Sequence, residues 1–113
     1  MQRILVALDG SPLAEQVVPF ATELAKTFDS EVILLRVVET SHGETGRSLD
    51  SFDWRIERAE AISYLTDIKE RLARESIPVD IDVTSGRACE EILEMADARD
   101  IDLIVLGSHG AGG

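Results

Sequence analysis

Apolar positions along the chain fall into two alternating patterns. Arg3–Leu8 (RILVAL), Glu31–Val38 (EVILLRVV) and Ile101–Leu106 (IDLIVL) are short and nearly continuously apolar. Runs of this length are too short for helices and fit strands covered on both faces. Val79, Ile81 and Val83 instead alternate with Asp80, Asp82 and Thr84. That alternation predicts a strand with one wet face, hence an edge strand. Between these runs the apolar residues recur at helical spacing. Leu13, Val17, Phe20, Ala21, Leu24, Ala25 and Phe28 give one helical face, Ala61, Leu65, Ile68 and Leu72 a second, and Ile92, Leu93 and Ala96 a third. The middle helix is expected from about Phe52 to Glu75, the last from Ala88 to Arg99.

The punctuation agrees. Ser11 can cap a helix, and Pro12 suits the first helical position, where its missing N–H goes unmissed. Pro19 falls inside the first helical pattern, removes a backbone bond and predicts a kink. Glu39–Ser51 is polar, holds Gly43 and Gly46, and predicts a long surface loop. Pro78 and Gly86 bracket the alternating strand. The order β-α-β-α-β-α-β predicts an α/β fold, a parallel sheet with helices on both faces and right-handed crossovers.

Composition narrows the function. At 113 residues the chain is one domain. Eleven basic against 22 acidic residues give a net charge of −11. Binding to nucleic acid or to an anionic membrane surface needs clustered Lys and Arg, so neither is expected. No apolar run approaches the ~20 residues of a membrane span. The start, Met1-Gln2-Arg3-Ile4, lacks a signal-peptide layout, and the expected compartment is the cytoplasm. Cys89 is the single cysteine, which excludes an internal disulfide and reads as a small helix residue near the core.

In open α/β sheets ligands bind beyond the carboxyl ends of strands, where strand order reverses. Asp9, Val37-Val38 and Gly107 onward lie at such ends. Glycines allow close approach to a ligand, and successive free N–H groups can cradle phosphate oxygens. Gly107-Ser108-His109-Gly110 could do this or form a plain turn. Asp9 could hold ribose hydroxyls or anchor the Ser11 turn. His109 beside such a site fits a hydrogen-bond donor better than a catalyst. His42 reads as solvated, Trp54 as packing, Arg87 as a surface residue, and Glu90-Glu91 as suited to the positive end of their own helix.

Ile4-Leu-Val-Ala-Leu-Asp-Gly-Ser11, Val32-Ile-Leu-Leu-Arg-Val-Val38, Gly86-Arg-Ala-Cys-Glu-Glu-Ile92 and Asp102-Leu-Ile-Val-Leu-Gly-Ser-His-Gly110 resemble, in order, successive blocks of the universal stress protein family. The resemblance implies a three-layer, Rossmann-like sheet of the adenine nucleotide alpha hydrolase type, strand order 3-2-1-4. It implies binding of ATP or another adenine nucleotide, with Mg2+, in a stress-response or regulatory role without strong hydrolysis. Ala7 would line the adenine pocket, Asp9 hold the ribose, and the backbone of Val37 bond the adenine edge. Gly107, Ser108, His109, Gly110, Ala111, Gly112 and Gly113 would wrap ribose and phosphates. Ala111 stands where many relatives carry a basic residue. In the ATP-binding branch a Gly-x-x-Gly is followed further on by Gly-Ser/Thr. Gly107 and Gly110 match the first half; the second would lie beyond Gly113. The chain is thus expected to be a C-terminally truncated member, its glycine end half of a nucleotide clamp, its fourth-strand edge open to homodimer pairing. A naturally short form whose partner completes the sheet is the alternative. In function, the alternative is a dimeric member that binds no nucleotide. A phosphorelay receiver is disfavoured because Asp9 stands alone and the third strand ends in Thr84-Ser85-Gly86. A nucleotide-activating enzyme would need a Ser-Gly-Gly loop that Asp9-Gly10-Ser11-Pro12 does not supply.

Overall fold

The computed structural model describes residues 2–10, 15–39 and 50–107. The chain runs β1 (Arg3–Leu8), α1 (Val17–Phe28), β2 (Glu31–Glu39), α2 (Asp50–Ala73), β3 (Val79–Gly86), α3 (Ala88–Ala98) and β4 (Leu103–Gly107). The strands form one parallel sheet in the order β3-β2-β1-β4. This is the expected α/β arrangement, with the alternating strand at one edge.

The continuous apolar runs are explained by burial on two faces. Ile4, Val6, Leu8, Val32 and Leu34 point to one side, against Val18, Ala21 and Ala25 of α1 and Leu65, Ile68 and Leu72 of α2. Leu5, Ile33, Leu35 and Val37 point to the other, against Ala88, Ile92 and Met95 of α3 and against Ile101 and Ile104. The stripe expected in α2 is buried in full. At β3, Val79, Ile81 and Val83 join the α1/α2 side. Asp80, facing the other way, pairs with Arg99 at 3.0 Å.

Two helices turn differently from their sequence pattern. In α1, Val18, Ala21 and Ala25 are buried while Phe20 is 58 % exposed and Phe28 is also exposed. Small alanines bring the helix close to the sheet, and the phenylalanines are too bulky for that contact. In α3, Leu93 is 60 % exposed and Met95 takes the inward position. Cys89, expected near the core, is exposed on that helix. The Pro19 effect appears as an interruption: Glu15 is helical, Gln16 is a turn, and the continuous helix starts at Val17. Proline has no N–H to give the Glu15 carbonyl and crowds it, so the break falls there. The cap at Ser11 and Pro12 and the residues of the polar loop from 40 to 49 lie outside the described residues.

All three helices hand the chain to the next strand in the same way. Asp29, Ser76 and Asp100 have φ of 56°, 65° and 52°. The following residue returns its N–H to a carbonyl five positions back: Ser30 to Ala25 (2.9 Å), Ile77 to Leu72 (3.3 Å) and Ile101 to Ala96 (3.0 Å). This left-handed ending satisfies carbonyls that the helix leaves open and is usually made by glycine.

Candidate functional site at the carboxyl ends of the strands

Strand register brings four of the expected site residues together. Ala7 pairs with Leu35 on one side and Leu106 on the other, and Leu8 pairs with Gly107. Continuing the parallel register two residues beyond Ala7–Leu35 puts Asp9 level with Val37. Ala7, Asp9, Val37 and Gly107 therefore share one end of the sheet. Ala7 is half-buried between a fully buried Leu35 and a Leu106 that is 56 % exposed. Asp9 is exposed just past β1. Gly107 is buried and extended as the last residue of β4. Ser108, His109, Gly110, Ala111, Gly112 and Gly113 lie outside the described residues. Gly10, just past β1, has φ of 86°, and Gly86, at the end of β3, has φ of 135°.

One backbone acceptor of β2 lies past the last residue of β1. In β2, the Glu31 N–H bonds Gln2 and the Val32 N–H bonds Pro78. Alternation along the strand then directs the odd-numbered positions toward β1. The Val37 carbonyl faces the level of Gly10, where β1 has already ended. It accepts a bond from Arg36 Nη1 at 2.7 Å. The guanidinium also lies against the turn: a Cβ placed on Gly10 would sit 3.5 Å from Arg36 Nε.

Arg36 and Tyr64 were not singled out by sequence reasoning. Tyr64 stands beside the buried stripe of α2, and its hydroxyl is buried with no partner among the described residues. Burial raises its pKa first, then the negative charges of Glu15 and Asp9, against the opposing Arg36 and Arg71. Asp9 and Arg36 thus act on Tyr64 with opposite signs. Neither residue carries a motif. A lone arginine in an apolar strand and a tyrosine beside a helical stripe both look like ordinary packing.

The start of α3 lies at the same end. Glu39, the last residue of β2, accepts the Ala88 N–H on Oε2 at 3.0 Å and so caps that helix. Glu90 and Glu91 occupy its first turn, where the helix dipole favours anions. Arg87 is exposed and 3.7 Å from Glu90, in keeping with a surface role. Among the described residues no group of three or more His, Cys, Asp or Glu converges to hold a metal ion, and no helix is long and apolar enough to cross a membrane.

The whole chain, residues 1–113, matches the model of the universal stress protein family. Universal stress protein YxiE of Bacillus subtilis is 29% identical over 121 aligned positions, spanning 98% of this chain and 81% of that protein. A universal stress family protein from Burkholderia pseudomallei superposes with a TM-score of 0.82 at 26% identity, covering 96% of this chain and 82% of that one. A family protein from Arabidopsis thaliana, solved with AMP bound, superposes at 0.75 with 17% identity, covering 99% and 80%.

Proposed function

The chain belongs to the universal stress protein family, and on that premise we propose that the crevice at the ends of β1, β2 and β4 binds an adenine nucleotide. ATP with magnesium is the first choice of ligand, and the role is regulatory or stress-responsive, in the cytoplasm. The observation that carries the reading is the convergence of Ala7, Asp9, Val37 and Gly107 at the point where strand order reverses. The AMP held by the Arabidopsis relative supports it.

In this reading Ala7 floors the base pocket and the Val37 backbone bonds the adenine edge. Asp9 accepts hydrogen bonds from ribose hydroxyls, and the stretch from Gly107 to Gly113 wraps ribose and phosphates. With no cluster of metal ligands among the described residues, magnesium would come with the phosphates and keep most of its waters. The protein acts as a binder rather than an enzyme. Cleaving a terminal phosphate needs a group that positions and deprotonates water, together with cationic clamps on the phosphates. Asp9 serves the ribose, His109 reads as a donor, and the chain carries no Walker-type lysine loop.

Titration calorimetry with ATP, ADP and AMP tests the reading. Saturable binding is expected, weakened about tenfold or more by Asp9→Ala, because bonds to a charged acceptor are worth about 1.5–3 kcal/mol each. Unchanged affinity in that variant removes Asp9 from the site. A rapid steady-state ATPase rate that disappears in His109→Ala overturns the binder assignment.

A second reading is favoured by exposed apolar side chains on β4 and α3. Leu106 and Leu93 are both more than half exposed, which fits a homodimer acting through protein contacts. A stable dimer that ignores all adenine nucleotides would favour this reading over the first.

A further inference from the structure

We infer that Arg36 sets the base preference of the crevice and lets it accept 6-oxopurine nucleotides as well as adenine nucleotides; the inference rests on the purine-nucleotide reading above. The Val37 carbonyl lies level with Gly10, past the last residue of β1. By itself it is an edge that only accepts hydrogen bonds. Such an edge suits the exocyclic amino group of adenine and repels the 6-oxo group of guanine or hypoxanthine. Arg36 changes that chemistry. Its Nη1 lies 2.7 Å from the same carbonyl oxygen, and its Nε lies against the Gly10 turn. Guanidinium carries five N–H donors and no acceptor. One of them is spent on Val37, and the planar fork presents further N–H groups beside it. A carbonyl oxygen has two lone pairs, so the one that Arg36 leaves can still take an adenine amino group.

The edge is therefore mixed: an acceptor for a 6-amino group and a charged donor for a 6-oxo group, side by side. Arg36 is itself a paired residue of β2, opposite Val83, and its guanidinium reaches along the strand to the Val37 carbonyl and the Gly10 turn. Gly10 borders it: a Cβ added there would sit 3.5 Å from Arg36 Nε, an ordinary van der Waals contact.

The test compares AMP with GMP by calorimetry on the full chain, using wild type, Arg36→Met and Arg36→Lys. Methionine keeps an apolar stem without a donor; lysine keeps a charged donor and guards against loss of fold. Wild type is expected to bind the two nucleotides within about tenfold of each other. Arg36→Met should weaken GMP by about tenfold or more, the value of one charge-assisted bond, and leave AMP within about threefold. Arg36→Lys should recover part of the GMP affinity. An equal change for both nucleotides in Arg36→Met, or a wild-type preference for AMP above about a hundredfold, overturns the role of Arg36 and leaves the purine site standing. Failure of wild type to bind either nucleotide overturns the purine site, and this role with it.

Discussion

Replacing Asp29 by glycine should stabilise the protein, although it deletes a charged side chain from the surface. Asp29 ends α1 at φ of 56° and ψ of 49°. A left-handed backbone costs an L-residue about 1–2 kcal/mol, less for Asp, whose short side chain tolerates it. Its charge also sits at the negative end of the helix, worth a further 0.3–1 kcal/mol of repulsion by the usual range for exposed dipole interactions. Glycine relieves both but enlarges the unfolded ensemble, which costs about 0.5–1 kcal/mol. The balance is a gain of about 0.5–1 kcal/mol, or about 2–6 °C in Tm. Asp29→Asn separates the contributions, because asparagine keeps the left-handed tolerance and removes only the charge. Urea unfolding, with midpoint and slope recorded for wild type, Asp29→Asn and Asp29→Gly, measures each step. Asp100→Gly has the same two components at the end of α3, and Ser76→Gly has only the backbone one. An Asp29→Gly variant less stable than wild type at unchanged slope would refute the reasoning. It would mean that the left-handed ending carries no strain or that the Asp29 carboxylate has a stabilising role.

At the amino end of the sheet, Asp102 Oδ2 accepts the Gln2 N–H at 2.8 Å and the Arg3 N–H at 3.0 Å, and these bonds lower its pKa below the ordinary carboxylate value. A depressed folded-state pKa contributes stability above the unfolded value, about 3.9, and loses it as pH falls through the folded one. Asp102→Ala should therefore destabilise at neutral pH, with the gap from wild type closing below about pH 4 in acid unfolding followed by circular dichroism. At the β4 edge, Leu106→Lys should shift any dimer seen by light scattering toward monomer, while an exposed position changes stability by only about 0.5 kcal/mol. An unchanged dimer would move the contact away from β4.

The strands were legible because a central parallel strand, buried twice over, has almost no polar positions: Ile4 to Leu8 and Val32 to Leu35 allow no other assignment. The α2 stripe was legible because Ala61, Leu65, Ile68 and Leu72 stand among charged neighbours. Helix α1 was less so. It is apolar around more than half its girth, so both the Phe20-Leu24-Phe28 line and the Val18-Ala21-Ala25 line have helical spacing. What chooses between them is how closely helix and sheet approach, a matter of volume that periodicity does not carry. Leu93 and Met95 exchange places in α3 for the same reason. Of the candidate site, Ala7, Asp9, Val37 and Gly107 could be placed from strand ends alone. Arg36 could not, because its position depends on which way each carbonyl of β2 faces and on where β1 ends.

Handedness ties these observations together. From β1 to β2 to β3 the chain advances in one direction across the sheet, and right-handed crossovers put α1 and α2 on one face. To reach β4 it must pass back over β2 and β1. The same handedness then puts α3 on the opposite face. The chain leaves β1 toward one face after having to re-enter beside it from the other, so no crossover fills the gap at the carboxyl ends of β1 and β4. The crevice is a result of topology before any side chain is chosen. The amino ends carry a different inventory: the left-handed endings at Asp29, Ser76 and Asp100, the Asp102 bonds to β1, and Arg3 Nη1 donating to the Arg99 carbonyl at 2.7 Å. A strand of five or six residues separates the two ends by about 17–20 Å, beyond the ~10 Å within which substitutions usually couple. Asp29→Gly and Asp9→Ala should therefore act independently, the first on stability alone and the second on nucleotide affinity. The double variant should bind as weakly as Asp9→Ala while keeping the full stability increment of Asp29→Gly. Coupling between them of more than about 0.5 kcal/mol would show that the two ends of the sheet do not act as separate units.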